Sequence, residues 1–298
     1  MVWCSGWKLA SAVSNAGGLG LIGSGSMDAA ILKIHIDKAR QATNFPFGVN
    51  IPLLYSHASE IIDLVIKESI PVVFTSAGNP DTYINKMKDK GIKVVHVVSS
   101  VRFAEKAEKA GVDGIVAEGF EAGGHNGIEE TTSFSLIPAL RKITSLPLIA
   151  AGGIATGRGM LAAMALGADG VQMGTRFAAS IESSAHINFK EKILQLKEGD
   201  TRLYLKKVVP VRMIKNAFAI EIEDAENRGA DASELLNILG TGRSKKGIFE
   251  GDLEGGELEI GQISSIINEI KPAAKIIEEV IGEYNDARKE LRLSKYKF

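Results

Sequence analysis

The 298-residue sequence holds one cysteine, Cys4. No disulfide can therefore close within the chain, and no Cys/His cluster has the spacing of a zinc site. No apolar run approaches the ~20 residues of a membrane span. The first residues lack the basic-then-apolar layout of a signal peptide. Charge bias is missing too: 35 Lys and Arg face 36 Asp and Glu, a net charge of -1. Nothing in that balance attracts nucleic acid or a membrane surface. A reducing cytoplasm is the expected setting, with no metal and no nucleic-acid partner. What is present is ordinary for a globular protein with a substantial core, 45% hydrophobic and 24% charged. The length allows one large α/β domain or two medium ones.

Short apolar runs alternate with helical patterns. Strands are expected at Leu19–Ile22, Phe47–Ile51, Pro71–Ser76, Lys93–Val98, Gly114–Ala117, Pro147–Ala151 and Gly170–Met173. A helix at Trp7–Val13 precedes the first of them, and helices near 27–42, 59–67, 81–89, 102–110, 134–143 and 160–165 separate the rest. Continuous rather than alternating apolar runs are expected of parallel strands buried on both faces. Their 20–30 residue spacing implies right-handed βαβ units, in a doubly wound sheet or a barrel. Seven strands with a helix in front suit an eight-fold (β/α)8 barrel of TIM type that lacks its first strand. Residues 1–180 form that expected core. Residues 181–298 read as a helical and loop elaboration packed on it, not an independent domain. In this part Asn188–Leu196 and Ala232–Ile238 look helical and Leu205–Ile222 is mixed apolar and basic. Gly240–Gly261 reads as an ordered loop or lid, and Pro272–Leu293 as an amphipathic helix with Ile276, Ile277, Val280 and Ile281 on its apolar side.

Three motifs carry chemistry. Glu118-Gly-Phe-Glu-Ala-Gly-Gly-His-Asn-Gly127 follows a strand, and Gly123 and Gly124 let the backbone turn tightly. His125, just beyond, has an intrinsic pKa suited to proton transfer. A strand, a glycine turn and a titratable residue are how a barrel enzyme builds its catalytic end. Taken alone, the stretch better suits a turn with an incidental surface histidine. Ala150-Ala-Gly-Gly-Ile-Ala-Thr-Gly157 and Gln172-Met-Gly-Thr-Arg176 end the seventh and eighth strand slots of an eight-fold count. Loops in those slots commonly hold a phosphate on backbone N–H groups, and Thr175 adds a hydroxyl donor.

Other features invite blander accounts. Gly18-Leu-Gly-Leu-Ile-Gly23 spells the dinucleotide fingerprint, but a helix precedes it and the strand lies inside it, the reverse of what that fingerprint requires. Its glycines are expected to end the helix and enter the strand. Asn50 closes its strand slot, where a polar contact at the barrel mouth is one reading. His96 reads as a satisfied core histidine, and His35, His57 and His186 as surface. Arg212 and Lys215 read as a solvated helix face rather than an anion site.

Taken together, Glu-Gly-Phe-Glu-Ala-Gly-Gly-His, Ala-Ala-Gly-Gly-Ile-Ala-Thr-Gly and Gln-Met-Gly-Thr-Arg-Phe, in this order and spacing, resemble the nitronate monooxygenase family. This family, formerly the 2-nitropropane dioxygenases, also contains the flavin-dependent enoyl-acyl-carrier-protein reductases of type II. The resemblance implies an FMN-bound (β/α)8 barrel, with His125 as the active-site histidine and Asn50, Glu118, Gly123 and Gly153 as flavin contacts. It also implies that Gln172, Met173, Gly174 and Thr175 help to hold the FMN phosphate. Met1 matches the Met of a turn that follows the family's first strand.

The two branches imply different partners: a nitronate and O2, or NADH or NADPH with an enoyl thioester on acyl carrier protein. A homodimer is among the expected assemblies. Glu118, Arg212…Ile214-Lys215-Asn216 and Gly251-Asp252…Gly255-Gly256…Gly261-Gln262 resemble the reductase branch; general membership favours nitronate oxidation, which is the expectation taken here. A flavin-free barrel binding a phosphorylated metabolite, or an inactive truncated product, is the alternative from another class.

Overall fold

Seven parallel strands curl into an incomplete barrel, each hydrogen-bonded to the next around the sheet. The computed structural model describes residues 1–292. Helix α1 (Trp7–Asn15) leads into β1 (Gly20–Gly23), α2 (Ala29–Ala42), β2 (Phe47–Pro52), α3 (Ala58–Lys67), β3 (Val72–Ser76), α4 (Ile84–Lys88), β4 (Lys93–Val98), α5 (Val101–Ala110) and β5 (Gly114–Glu118). A two-residue strand β6 (Gly124–His125) precedes α6 (Ser133–Arg141), β7 (Leu148–Ala151), α7 (Gly157–Ala165), β8 (Gly170–Gln172) and a short α8 (Thr175–Ala178). Beyond it come α9 (Ile187–Leu194), β9 (Thr201–Tyr204), β10 (Val211–Ile214), α10 (Ala217–Asn227), α11 (Ala232–Leu239) and α12 (Ala273–Arg292).

Alternation along each strand sorts the core into two layers. Ile22, Val49, Ile51, Val73, Val94, Ile115 and Leu148 pack outward on the helices. Leu21, Phe74, Val95, Val116 and Ala151 pack inward. Both faces are apolar, which is why the strands read as unbroken hydrophobic runs. His96 lies within the outer layer, 5% exposed, and its Nδ1 is 2.7 Å from the Thr75 hydroxyl. Burial lowers its pKa to about 4, so it is a neutral core residue.

β1 and β8 are the outer strands of the sheet, as expected for a barrel one strand short. Residues 1–5 tuck into the seam beside β1. Gly23 N–H donates to the Ser5 carbonyl at 2.9 Å and the Ser5 hydroxyl donates to the Leu21 carbonyl at 2.5 Å. On the other side Ser184 N–H donates to the Cys4 carbonyl and the Ser184 hydroxyl to that of Trp3. The glycine-rich start is confirmed as helix end and strand: Gly17 has φ +89°, and a Cβ on Gly20 would collide with the Ala10 carbonyl of α1.

The later half fills in what the sequence left open and corrects one expectation. Leu205–Ile222, mixed apolar and basic in sequence, contributes β10 and most of α10, and β10 pairs antiparallel with β9 and with β6 in a second sheet. Arg212, expected on a solvated helix face, lies on β10 at 2% exposure. Gly240–Gly261, expected as an ordered loop or lid, is ordered, with one π-helical turn at Lys245–Phe249 and buried Leu258 and Ile260. Helix α12 lies against α7 and α1, burying Ile276 and Val280 while Ile281 is exposed. That is the place of an eighth helix in a barrel's outer ring. Among the described residues no helix is long and apolar enough to cross a membrane.

Candidate active site

The barrel interior turns polar at the carboxyl ends of its strands. Ala151 pairs with Glu118 on one side and Gln172 on the other, so both side chains flank it on the inner face. Glu118 is half-buried at the end of β5, and desolvation raises its pKa from 4.5 to about 7, partly opposed by the Met1 ammonium. The Gln172 Oε1 is buried without a hydrogen-bond partner, as is the Ser100 hydroxyl just after β4. Asn50, expected to close its strand, lies two residues before the end of β2, with its amide donating to the Phe74 carbonyl at 3.2 Å. Buried polar atoms are rarely left unpaired; these face the end of the fold where barrel enzymes place ligands.

From Glu118 the chain leaves the barrel in a tightly held arc. Gly119 N–H donates to the Ala151 carbonyl. The Glu121 carboxylate accepts from the Ser133 N–H and hydroxyl (2.9 and 2.7 Å), fixing the start of α6, while its carbonyl accepts from Gln262 N–H. Gly124 adopts φ +77°, open to glycine at little cost. The arc then joins the second sheet, with Gly124 opposite Arg212 and His125 opposite Val211. Asn126 locks the exit: its amide donates to the Ala122 and Gly124 carbonyls and its N–H to the Pro210 carbonyl. His125 is thus an exposed side chain on a fixed backbone.

The three sequence motifs converge. A Cβ on Gly152 (φ +88°) would lie 2.7 Å from the Gly119 carbonyl, and one on Gly153 (φ +71°) 3.3 Å from the Glu121 side chain. The β5 arc therefore rests on the β7 turn. Gly261 links the arc to β8: its N–H donates to the Thr175 hydroxyl oxygen at 3.1 Å, and a Cβ there would lie 3.2 Å from Gly123 N. The Gly153 and Gly174 N–H groups donate no hydrogen bond among the described residues. A Cβ on Gly174 would meet only the flexible Met1 side chain, at 3.7 Å. Two free amides and a hydroxyl whose own proton remains available make a cradle for an anion.

Some expected roles change with the geometry. Gly123 was expected to face a ligand, yet a Cβ there would strike the Ile260–Gly261 backbone, so its glycine is explained by the chain's own packing. The Met173 side chain packs outward with the helix layer, leaving only its backbone toward the mouth. His35 and His186, expected as plain surface, have partners: the Nδ1 atoms accept from Trp7 N–H (3.1 Å) and Asn188 N–H (3.2 Å). His57 is exposed as expected. Arg212 and Gly261 organise the site; the sequence marked both as resembling the reductase branch, but not their contact with the arc, because they lie far along the chain from the motifs they touch. No group of three or more His, Cys, Asp and Glu among the described residues could hold a metal.

Comparisons with known proteins agree with this architecture. The family model described as nitronate monooxygenase matches residues 1–63 and 53–283. A probable nitronate monooxygenase of Staphylococcus saprophyticus is 33% identical over 94% of this chain and 91% of its own. One from Staphylococcus aureus is 34% identical over 93% and 90%. Among solved structures, FabK from Thermotoga maritima superposes with a TM-score of 0.93 at 44% identity, covering 98% of this chain and 93% of its own. A nitroalkane oxidase from Streptomyces ansochromogenes gives 0.85 at 27% identity, covering 97% and 94%.

Proposed function

The chain belongs to the nitronate monooxygenase family, and on that footing we propose that it is an FMN-dependent oxidoreductase of the family's enoyl-thioester reductase branch. The observation that carries the choice is the whole-chain likeness to FabK, stronger in identity than that to the nitroalkane oxidase. This reading departs from nitronate oxidation, the expectation taken from general membership. Glu118, the position that resembles the reductase branch, lies inside the barrel mouth with a pKa near 7.

The residues fit FMN. The orphaned Gln172 and Ser100 oxygens and the Glu118 carboxyl offer a flavin ring system the acceptors and donor it can pair with. Gly153, Gly174 and Thr175 offer its phosphate two amides and a hydroxyl. Asn50 would contribute its carbonyl oxygen, since its amide is already engaged. When bound, FMN supplies hydride transfer, with NADH or NADPH as the external reductant. The protein's part is placement and proton control. A neutral Glu118 can donate a hydrogen bond that its ionised form cannot. His125, exposed on a rigid strand, can hold the thioester carbonyl oxygen and deliver a proton to the carbon beside it. The mouth formed by Gly119–Gly124, Gly152–Gly153 and Gly261 fixes where that carbonyl can lie.

A second reading, nitronate oxidation with O2, is favoured by the names of the staphylococcal relatives; there His125 would hold the nitro oxygens or take the proton of the neutral nitroalkane. Anaerobic mixing separates the two. Loss of the flavin absorbance near ~450 nm on adding NADH or NADPH supports the reductase. Loss on adding propyl-2-nitronate alone defeats it in favour of the second reading. A colourless protein whose melting temperature ignores added FMN would defeat both.

A further inference from the structure

Arg212 is almost fully buried at 2% exposure, yet its hydrogen bonds go to a neutral oxygen. Its Nε and one terminal nitrogen both donate to the Phe120 carbonyl, at 3.1 and 3.0 Å. Its guanidinium carbon lies 4.4 Å from the centroid of the Phe120 ring. The carboxylates that attract it through space, Glu121 and Glu130, are committed elsewhere: Glu121 to Ser133 and Glu130 to Lys206. A desolvated cation held mainly by a carbonyl and a ring is a poor device for stability alone. It is a good device for fixing geometry. The planar fork orients the carbonyl, and the stack orients the ring beneath it.

The same short strand holds the arc a second time. Val211 and Arg212 pair through the backbone with His125 and Gly124. One end of Phe120–His125 is thus gripped by the Arg212 side chain and the other by the main chain of residues 211 and 212. We propose that Arg212 is a positioning residue for the reaction, a strut that sets where His125 stands relative to Glu118 and the barrel mouth. This rests on the reading of His125 as the residue that acts on substrate.

The test is a double-mutant cycle on the flavin-loaded full chain, with Arg212→Ala, His125→Ala and the double variant. Turnover of crotonyl thioester with NADPH and of propyl-2-nitronate with O2 is measured in parallel, and flavin absorbance checks loading. Arg212→Ala is expected to lower kcat about 30-fold with KM within about threefold, but to cost less than about threefold where His125 is already gone. Methylguanidinium at millimolar concentration should restore about tenfold of kcat in Arg212→Ala by reoccupying the vacated site. A loss of equal size in both backgrounds, unrescued, means a general structural role and overturns the proposal. If Arg212→Ala does not fold, Arg212→Lys keeps the charge but not the fork. It should lose about tenfold, again only when His125 is present, and unchanged turnover refutes the strut. Wild-type turnover in His125→Ala defeats the reading of His125 and the proposal with it. A slow His125→Ala with an undiminished Arg212 effect defeats the strut alone.

Discussion

Replacing Glu118 by Gln should make the flavin-free protein more stable at neutral and alkaline pH and leave it unchanged in acid. Burial raises the folded-state pKa of Glu118 from 4.5 to about 7. The unfolded chain ionises this carboxyl first. The stability its neutral form provides is therefore complete below pH 4.5 and is lost as pH rises through 7. At about 1.4 kcal/mol per pH unit, that interval corresponds to about 3 kcal/mol. Gln has the same shape and no charge, so it carries no such penalty. Urea denaturation of both proteins from pH 4.5 to 8.5 reads the difference directly. Glu257, buried beside Glu259 and raised to about 8, contributes its own pH dependence, but equally to both proteins. The variant should gain about 3 kcal/mol on the wild type across this range. Two curves that stay parallel would mean that Glu118 is solvated or paired, and the argument for a neutral donor in the mouth would fall.

Three further outcomes follow from packing and hydrogen bonding. Gly157→Ala should destabilise by about 2 kcal/mol in urea denaturation, because its Cβ would press into the Val280–Tyr284 backbone of α12. Asn216→Ala should cost about 3 kcal/mol: it removes the cap on Ala219 N–H and strands the Leu253 and Gly256 carbonyls. Thr175→Val should cost about 1–2 kcal/mol through Gly261 N–H, and equilibrium dialysis should show FMN bound at least about tenfold more weakly, as expected if a charge-assisted contact to phosphate is lost.

The barrel was legible because its strands are buried on both faces and some of its helices end on glycine; Gly111, at φ +89° after α5, is an example. The second sheet was not. β6 is two residues long and finds its partner β10 86 residues later, so nothing local marks it. Val211-Arg-Met-Ile214 offers four residues, too few for a period, and its arginine invites a solvent-facing reading that the 2% exposure contradicts. The motif glycines were recognised, but their reasons differ. Gly153 and Gly174 leave amides free, whereas Gly123 is small because Ile260 and Gly261 lie against it. Sequence shows that a glycine stands there, not which neighbour forbids a side chain. Gln172 could be placed on β8; that its amide oxygen is left unpaired depends on neighbours from three strands.

The position of α12 also bears on the order in which the molecule can assemble. It seals against α1 and α7: Ile277 reaches the end of α1 near Gly18, the Gly157 N–H donates to Glu283, and Arg158 pairs with Glu290. The contacts with α1 join segments about 260 residues apart, so their loop must close before they repay its entropy. During synthesis α1 and α7 emerge long before the helix that covers them. The nascent chain therefore carries an uncovered apolar stripe across the seam while the second sheet is still being made. Closure of the helical ring is then a late event, and variants that weaken it should be recognised first by poor recovery from refolding, before any change in the chemistry at the other end of the barrel.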